Sequence, residues 1–127
     1  MRPEFSSPPA AAGYSHAVAL PPGRLVWTSG QVGMDSSGAI PPDLAGQTRL
    51  VFANLTAALA SAGAGWPDVV KLTYFVLSVD DLPTIRGIRD EHVNTETPPT
   101  SSLIQVAGLF RPELLIEVEA VAWLSPP

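Results

Sequence analysis

Two carboxylates on a mostly apolar segment near the C-terminus are the residues of this chain best suited to chemistry. Residues 116–122 alternate Glu117 and Glu119 with aliphatic side chains, which is the period-two pattern of a β-strand. Such a strand places both glutamates on one face and the aliphatic residues between them on the other. A carboxylate in this setting either reaches water or lies in a wet pocket, where it can act as a general base. Glu117 and Glu119 are therefore the first candidates for a site.

Other familiar catalytic and binding patterns are missing from the sequence. The chain has no cysteine, which excludes disulfides, thiolate catalysis and zinc–thiolate sites. Its two histidines, His16 and His92, lie far apart without a metal-ligand spacing, so no metal site is expected. Residues 28–31 place a hydroxyl at a strand end before a glycine that a ligand can approach closely. Ordinary turn chemistry at a strand end explains the same four residues.

Composition limits the partners of the chain. Its 127 residues carry a formal net charge of -5 with a single lysine, Lys71. Binding to nucleic acid or to an anionic membrane surface needs a basic surface, and none is visible. No apolar run approaches a bilayer-spanning length, and the N-terminus lacks the apolar core of a signal peptide, so a cytoplasmic location is expected. With 46% hydrophobic and only 15% charged residues, the chain should hide part of its surface in an oligomer.

Helical spacing of apolar residues predicts two helices. Asp43 is placed to cap the first, whose apolar residues recur every three or four positions up to Gly63. A glycine is favoured just after a helix end because it accepts a positive φ. The second helix begins at Asp80 or Asp81, with Pro83 in its first turn, where a missing N–H costs nothing.

Strand-like runs surround the two helices. They cover residues 17–20, 25–31, 69–77, 101–107 and 114–124, and the Pro-Pro-Gly-Arg segment at 21–24 predicts a hairpin between the first two. The order β-β-α-β-α-β-β predicts an α+β fold, with a single mixed sheet and both helices packed on one face. The other face would carry uncovered apolar side chains, so self-association over it is expected. Residues 1–12 are predicted to form an N-terminal arm and residues 13–127 a single domain.

Six short segments spread along the chain form a set. They are Gly13-Tyr14-Ser15-His16-Ala17-Val18, Thr28-Ser29-Gly30-Gln31, Asn54-Leu55, Val70-Lys71-Leu72-Thr73-Tyr74-Phe75-Val76, Pro99-Thr100-Ser101-Ser102 and Ile116-Glu117-Val118-Glu119-Ala120-Val121-Ala122. In this order and spacing, the set resembles the RidA (YjgF-type) family of reactive-intermediate deaminases. The resemblance covers residues 13–122, nearly the whole chain.

The resemblance implies a chorismate-mutase-like fold and a homotrimer. Three sheets would line a central barrel, with small-molecule clefts between neighbouring subunits. It also implies hydrolysis of enamine or imine intermediates, such as 2-aminoacrylate, to a keto acid and ammonia, without a cofactor or metal. In the family an arginine of a Pro-x-Arg-Ser motif binds the substrate carboxylate with its planar guanidinium, while a glutamate and a tyrosine help to place the attacking water.

Four site residues are carried over from the family pattern. Tyr14 matches the N-terminal tyrosine, although the usual preceding proline is missing, and it either covers the ligand or packs the arm onto a neighbour. Ser29 and Gly30 match the hydroxyl-and-backbone corner of the cleft. Glu117 matches the strand glutamate if the loop at residues 110–113 carries one extra residue. Glu117 then either positions the attacking water or simply lines a wet channel.

The segment at residues 99–102 departs from the family pattern. Thr100 and Ser101 occupy predicted ligand-binding positions, but Ser101 stands where the arginine is expected. A hydroxyl cannot replace a bidentate ion pair, so poor 2-aminoacrylate deaminase activity is expected. Arg86, predicted to bind ligand where many members have an asparagine, or Arg111 could restore the positive charge. Alternatively, both arginines are solvated surface residues.

Two functions remain open from the sequence. The first is a hydrolase that acts on an imine, an enamine or a related carbonyl-derived metabolite, with Glu117 and a water at a subunit interface. The second is a trimer that binds a metabolite without turnover, which the serine at position 101 favours. An endoribonuclease, a label that some relatives carry, is disfavoured by the net charge of -5.

Overall fold

The computed structural model describes residues 1–6 and 13–127. Within them the chain forms two α-helices, α1 (Leu44–Ser61) and α2 (Leu82–Arg89). Asp43 precedes α1 in an extended conformation, although its side chain makes no capping hydrogen bond, and Gly63 follows the helix with φ of 81°. Asp81 and Pro83 begin α2 as the sequence predicts.

The strands form a two-stranded ribbon and a five-stranded mixed sheet. The strands are β1 (Glu4–Ser6), β2 (Ala17–Ala19), β3 (Arg24–Trp27), β4 (Gln31–Val32), β5 (Val69–Val76), β6 (Thr100–Gln105) and β7 (Ile116–Leu124). The ribbon pairs β1 with β2, and the sheet has the order β3-β7-β5-β6, with β4 also paired to β7. β7 runs antiparallel to β3, β4 and β5, whereas β5 and β6 are parallel and connected through α2.

Alternation along β7 decides which sheet face is buried. Ile116, Val118 and Ala120 are fully buried, whereas Glu117 and Glu119 between them are only partly covered. The buried apolar residues of α1 and α2 join the same core as these β7 residues. Both helices therefore pack on one face of the mixed sheet, which confirms the predicted α+β fold.

The predicted hairpin between residues 17–20 and 25–31 is wrong. β2 pairs with β1, and β3 pairs with β7 instead. Pro21 and Pro22 have no N–H with which to start a ladder between β2 and β3. The Pro21 carbonyl accepts a hydrogen bond of 3.0 Å from the indole of Trp123, which holds this connection against the end of β7.

The predicted N-terminal arm is described only in part. Residues 4–6 form β1, and residues 7–12 of the arm lie outside the described residues. The division between an arm at residues 1–12 and a domain at residues 13–127 stays a prediction.

The sheet face opposite the helices is partly covered by the ribbon. Phe5 and Val18 of the ribbon pack against Trp123 and its neighbours. Beyond the ribbon, Leu25 and Trp27 are 56% and 69% exposed beside a concavity of about 340 Å³. We call this region the open sheet face; it consists of Leu25, Trp27, Lys71, Thr73 and Glu119.

Candidate functional site

A cavity of about 290 Å³ lies between α2 and the edge strand β6. Ser101 and Leu103 face it because they pair with Leu72 and Tyr74, two core residues of β5. We call it the Ser101 cavity. Its lining consists of Tyr14, Tyr74, Leu82, Ile85, Arg86, Arg89, Ser101 and Leu103.

Three of the predicted site residues meet in the Ser101 cavity. Tyr14, Arg86 and Ser101 come from the segment before β2, from α2 and from β6, respectively. The ring of Tyr14 stacks on His16, with centroids 5.6 Å apart, so this side chain is held by a neighbour in its own segment. The structure thus brings together residues that are far apart in sequence.

Two other residues considered from the sequence lie away from this lining. Thr100 alternates with Ser101 on β6, and its hydroxyl donates to the Val70 carbonyl at 2.8 Å. Arg111 is exposed in the loop before β7, with its guanidinium carbon 5.9 Å from the ring centroid of Phe110.

Arg89 is a buried guanidinium in the Ser101 cavity. The residue is only 5% exposed, and its Nε and Nη2 atoms each lie 2.9 Å from one oxygen, Oδ1 of Asp90. Gly13 covers it from the other side with φ of 81°, and a Cβ at that position would collide with the guanidinium. The close approach of the Gly13 backbone therefore requires a glycine.

Tyr74 lies beside Arg89 in the same lining. Its hydroxyl is buried and makes no well-formed hydrogen bond among the described residues, but the Arg89 guanidinium lies close enough to interact with it as a donor. Burial raises the pKa of Tyr74 well above its ordinary value, while the nearby Arg89 charge opposes the shift. The hydroxyl therefore stays neutral throughout the physiological range and is available as a donor or an acceptor.

A second group of predicted site residues lies where the pairing with β7 is interrupted. β3 ends at Trp27 and β4 begins at Gln31, so the three residues between them form a corner beside β7. Thr28 holds the corner in place: its N–H donates to the Ala120 carbonyl at 2.9 Å, and its hydroxyl accepts from the Ala120 N–H at 3.0 Å.

Glu117 fills the space that Gly30 leaves open at this corner. A Cβ at position 30 would collide with the Glu117 carboxylate, so glycine allows the close approach. Burial raises the pKa of Glu117, and the neighbouring Glu119 charge raises it further. A raised pKa makes the carboxylate a stronger base toward a bound water. Ser29, Gly30 and Glu117 together form what we call the Glu117 corner.

The Ser101 cavity and the Glu117 corner lie on opposite sides of the sheet. Ser101 pairs with Leu72 on β5, and Glu117 pairs with Phe75 on the same strand. Side chains alternate along a strand, so Leu72 and Phe75 point to opposite faces. One small ligand cannot touch both groups within a single copy of the chain.

The described residues include neither a metal-binding group nor a membrane-spanning helix. Among those described, no three or more histidine, cysteine, aspartate or glutamate side chains form a group that could hold a metal ion. Over residues 1–6 and 13–127, no helix has the length and apolarity needed to cross a membrane.

Comparison with known proteins shows the family to which the chain belongs. The family model described as endoribonuclease L-PSP matches residues 5–124. The chain belongs to the RidA (YjgF-type) family. The 2-iminobutanoate/2-iminopropanoate deaminase of Escherichia coli is 36% identical over 120 residues, covering 90% of each chain.

Solved structures of RidA-family proteins share the fold. YyfB of Yersinia pestis, a Rid-family protein of unknown function, gives a TM-score of 0.83 at 35% identity and covers 98% of this chain and 100% of its own. Escherichia coli TdcF with bound serine gives 0.73 at 35% identity, covering 98% and 99%. A neighbour in this RidA family therefore holds a small amino acid.

Sequence reasoning missed the two buried polar residues of the Ser101 cavity, Arg89 and Tyr74. One signal for Arg89 was its spacing of three from Arg86, which puts both arginines on one side of α2. The signal for Tyr74 was its alternation with Leu72 and Val76, which places it on the buried and otherwise apolar side of β5.

Proposed function

We propose that this RidA-family protein is a small-metabolite hydrolase whose site forms between copies of the chain. The Glu117 corner of one copy meets the Ser101 cavity of the next. The observation that carries this proposal is the separation of the two groups by the sheet, because neither holds both a base and a ligand cavity. The substrate is a small imine, enamine or related carbonyl-derived metabolite.

The open sheet face supports the assembly that this proposal needs. Leu25 and Trp27 expose much of their apolar surface there, and burial of that surface against another copy favours association. The proposed assembly is a homotrimer, in which each copy contributes one cavity and one corner.

The proposed reaction uses water and side chains. Glu117 accepts a proton from water as the water oxygen adds to the imine carbon, and it returns this proton to the nitrogen, giving a neutral carbinolamine. Glu117 then removes the hydroxyl proton of the carbinolamine and delivers it to the amino nitrogen, so that the carbon–nitrogen bond breaks as the carbonyl forms and ammonia leaves. The raised pKa of Glu117 suits it to both proton transfers.

Serine at position 101 makes 2-aminoacrylate a poor substrate in this proposal. Its carboxylate would meet a hydroxyl where the family pattern has an arginine. Charge-assisted hydrogen bonds contribute about 1.5–3 kcal/mol each. The loss of a two-bond fork then weakens carboxylate binding by roughly 10²–10⁴-fold.

A second candidate function is metabolite binding without turnover. The same serine favours it, because loss of the carboxylate clamp removes part of the catalytic pattern. The family model also carries an endoribonuclease description. The net charge of -5 argues against RNA as a ligand, and a salt-dependent RNA affinity would contradict this part of the proposal.

Glu117→Gln separates the two candidates. Purified protein is supplied with imines made in place by an amino acid oxidase, or with 2-aminoacrylate made by a dehydratase, and ammonia release is followed. Hydrolase function predicts that Glu117→Gln abolishes the acceleration, while Glu113→Gln, a matched change in an exposed loop glutamate, leaves it intact. Equal rates with wild type and Glu117→Gln would exclude Glu117 as the base.

A further inference from the structure

Arg89 has more hydrogen-bonding capacity than its neighbours use. Both of its hydrogen bonds go to Oδ1 of Asp90, from Nε and Nη2 along one edge of the guanidinium. Over residues 1–6 and 13–127, Nη1 has no hydrogen-bond partner, although the side chain is only 6% exposed. Nη1 therefore has capacity left for an acceptor that enters this cavity, and a charge-assisted hydrogen bond to it is favourable.

The charges around the Ser101 cavity favour an anion. Arg86 lines it three residues before Arg89, and the Asp90 carboxylate beside them is 46% exposed and thus partly solvated. The Tyr74 hydroxyl lies next to the guanidinium beneath the same lining. The cavity therefore has two positively charged side chains, Arg86 and Arg89, beside one partly solvated carboxylate, Asp90.

The rest of the lining is apolar and leaves room for more than a carboxylate. Leu82, Ile85 and Leu103 supply apolar surface, and Ser101 projects only a hydroxyl into the space. An engineered cavity of about 150 Å³ accommodates benzene. The roughly 290 Å³ here holds a carboxylate together with a branched aliphatic or aromatic body.

We infer that Arg89 binds the carboxylate of the ligand from α2, in place of an arginine on β6. This inference rests on the proposed function, since it names the residue that holds the substrate carboxylate in the same cavity. A planar guanidinium whose one edge is fixed by Asp90 offers its other edge for a forked interaction. A carboxylate held from α2 recovers part of the affinity that a serine at position 101 does not provide.

The test measures binding of 4-methyl-2-oxopentanoate, with 4-methylpentan-2-one as the partner probe that lacks the carboxylate. Titration calorimetry on the assembled protein should show that wild type prefers the acid. Arg89→Lys keeps the charge but loses the fork, and it should weaken acid binding by about tenfold to a hundredfold while leaving the ketone unchanged. Arg111→Gln, a change in an exposed arginine outside the cavity, should bind as wild type does.

Two further arms keep the inference testable if Arg89→Lys folds poorly. Arg89→Leu combined with Ser101→Arg returns a guanidinium to the same cavity from β6 and should restore binding of the acid. Wild type alone must also discriminate between acid and ketone. Equal binding of the two probes, or an acid affinity unchanged in a folded Arg89→Lys protein, overturns the inference.

These results are independent of the test of the hydrolase. If Arg89→Lys binds the acid as wild type does while Glu117→Gln loses turnover, the carboxylate assignment fails and the hydrolase proposal stands. If acid binding depends on Arg89 while turnover is unchanged in Glu117→Gln, the carboxylate assignment stands and the hydrolase proposal fails.

Discussion

Replacement of Trp27 by serine should dissociate the assembly without unfolding the individual copy. Trp27 is 69% exposed on the open sheet face, so the fold of one copy gains little from it. A covered tryptophan side chain buries about 150–250 Å², which leaves on the order of 100–170 Å² for a neighbour to cover. At about 25 cal/mol per Å² this is about 3–4 kcal/mol per interface, or roughly 10²–10³-fold in the association constant.

Light scattering over a dilution series measures this effect. Wild type should have three times the 13.3 kDa mass of one chain, and Trp27→Ser should shift toward that single-chain mass with an unchanged far-ultraviolet circular dichroism spectrum. Val79→Ser is the matched control, because Val79 is 48% exposed just before α2. If Trp27→Ser assembles as tightly as wild type, the open sheet face is not the interface.

Three further changes test how the two groups of site residues are held. Gln47→Leu should lower the free energy of unfolding, measured by urea denaturation, by about 2–4 kcal/mol. The buried amide of Gln47 donates to two loop carbonyls and accepts from one loop N–H, at 2.8–2.9 Å, and leucine leaves all three groups without this partner. Gly13→Ala should lower the free energy of unfolding, measured by the same assay, by about 2 kcal/mol or more, because φ at this position is positive and the added Cβ collides with the buried Arg89. It should also weaken binding of 4-methyl-2-oxopentanoate. The pKa of Glu117 is raised in the folded state above its ordinary value of 4.5, so between these two pKa values the folded chain binds more protons than the unfolded chain. The contribution of Glu117 to stability should therefore fall as pH rises through this range. Glu117→Gln should remove that fall when the free energies of unfolding of the two proteins are compared at pH 4 and pH 7. A wild-type stability that rises more steeply than that of Glu117→Gln across this window would contradict the assignment.

The helices and the central strands could be predicted because their signals are local. Gly63 ends α1 and Asp81 begins α2 as their residue types indicate, and β7 buries alternate residues. The pairing of β2 could not be predicted in this way. β2 pairs with β1, and Trp123 holds the segment that follows β2. Both contacts come from outside residues 17–31, whereas the turn signal at residues 21–24 favoured pairing of β2 with β3.

The Ser101 cavity was only half predictable for a related reason. Tyr14, Arg86 and Ser101 were found through the family resemblance, which aligns positions but does not report burial. Arg89, followed by Asp90 and Glu91, has the local sequence of a solvent-exposed helix end. Its burial follows from the close approach of Gly13, a residue more than seventy positions away in the chain.

A cross-link between positions 101 and 117 tests most directly whether the site is shared between copies. The chain has no cysteine, so Ser101→Cys combined with Glu117→Cys gives two reactive thiols per copy, separated within that copy by the sheet. Treatment with a short bismaleimide should yield covalent trimers of three 13.3 kDa chains on a denaturing gel, while either single-cysteine protein should not form them. A double-cysteine protein that stays monomeric on the gel would contradict the shared site.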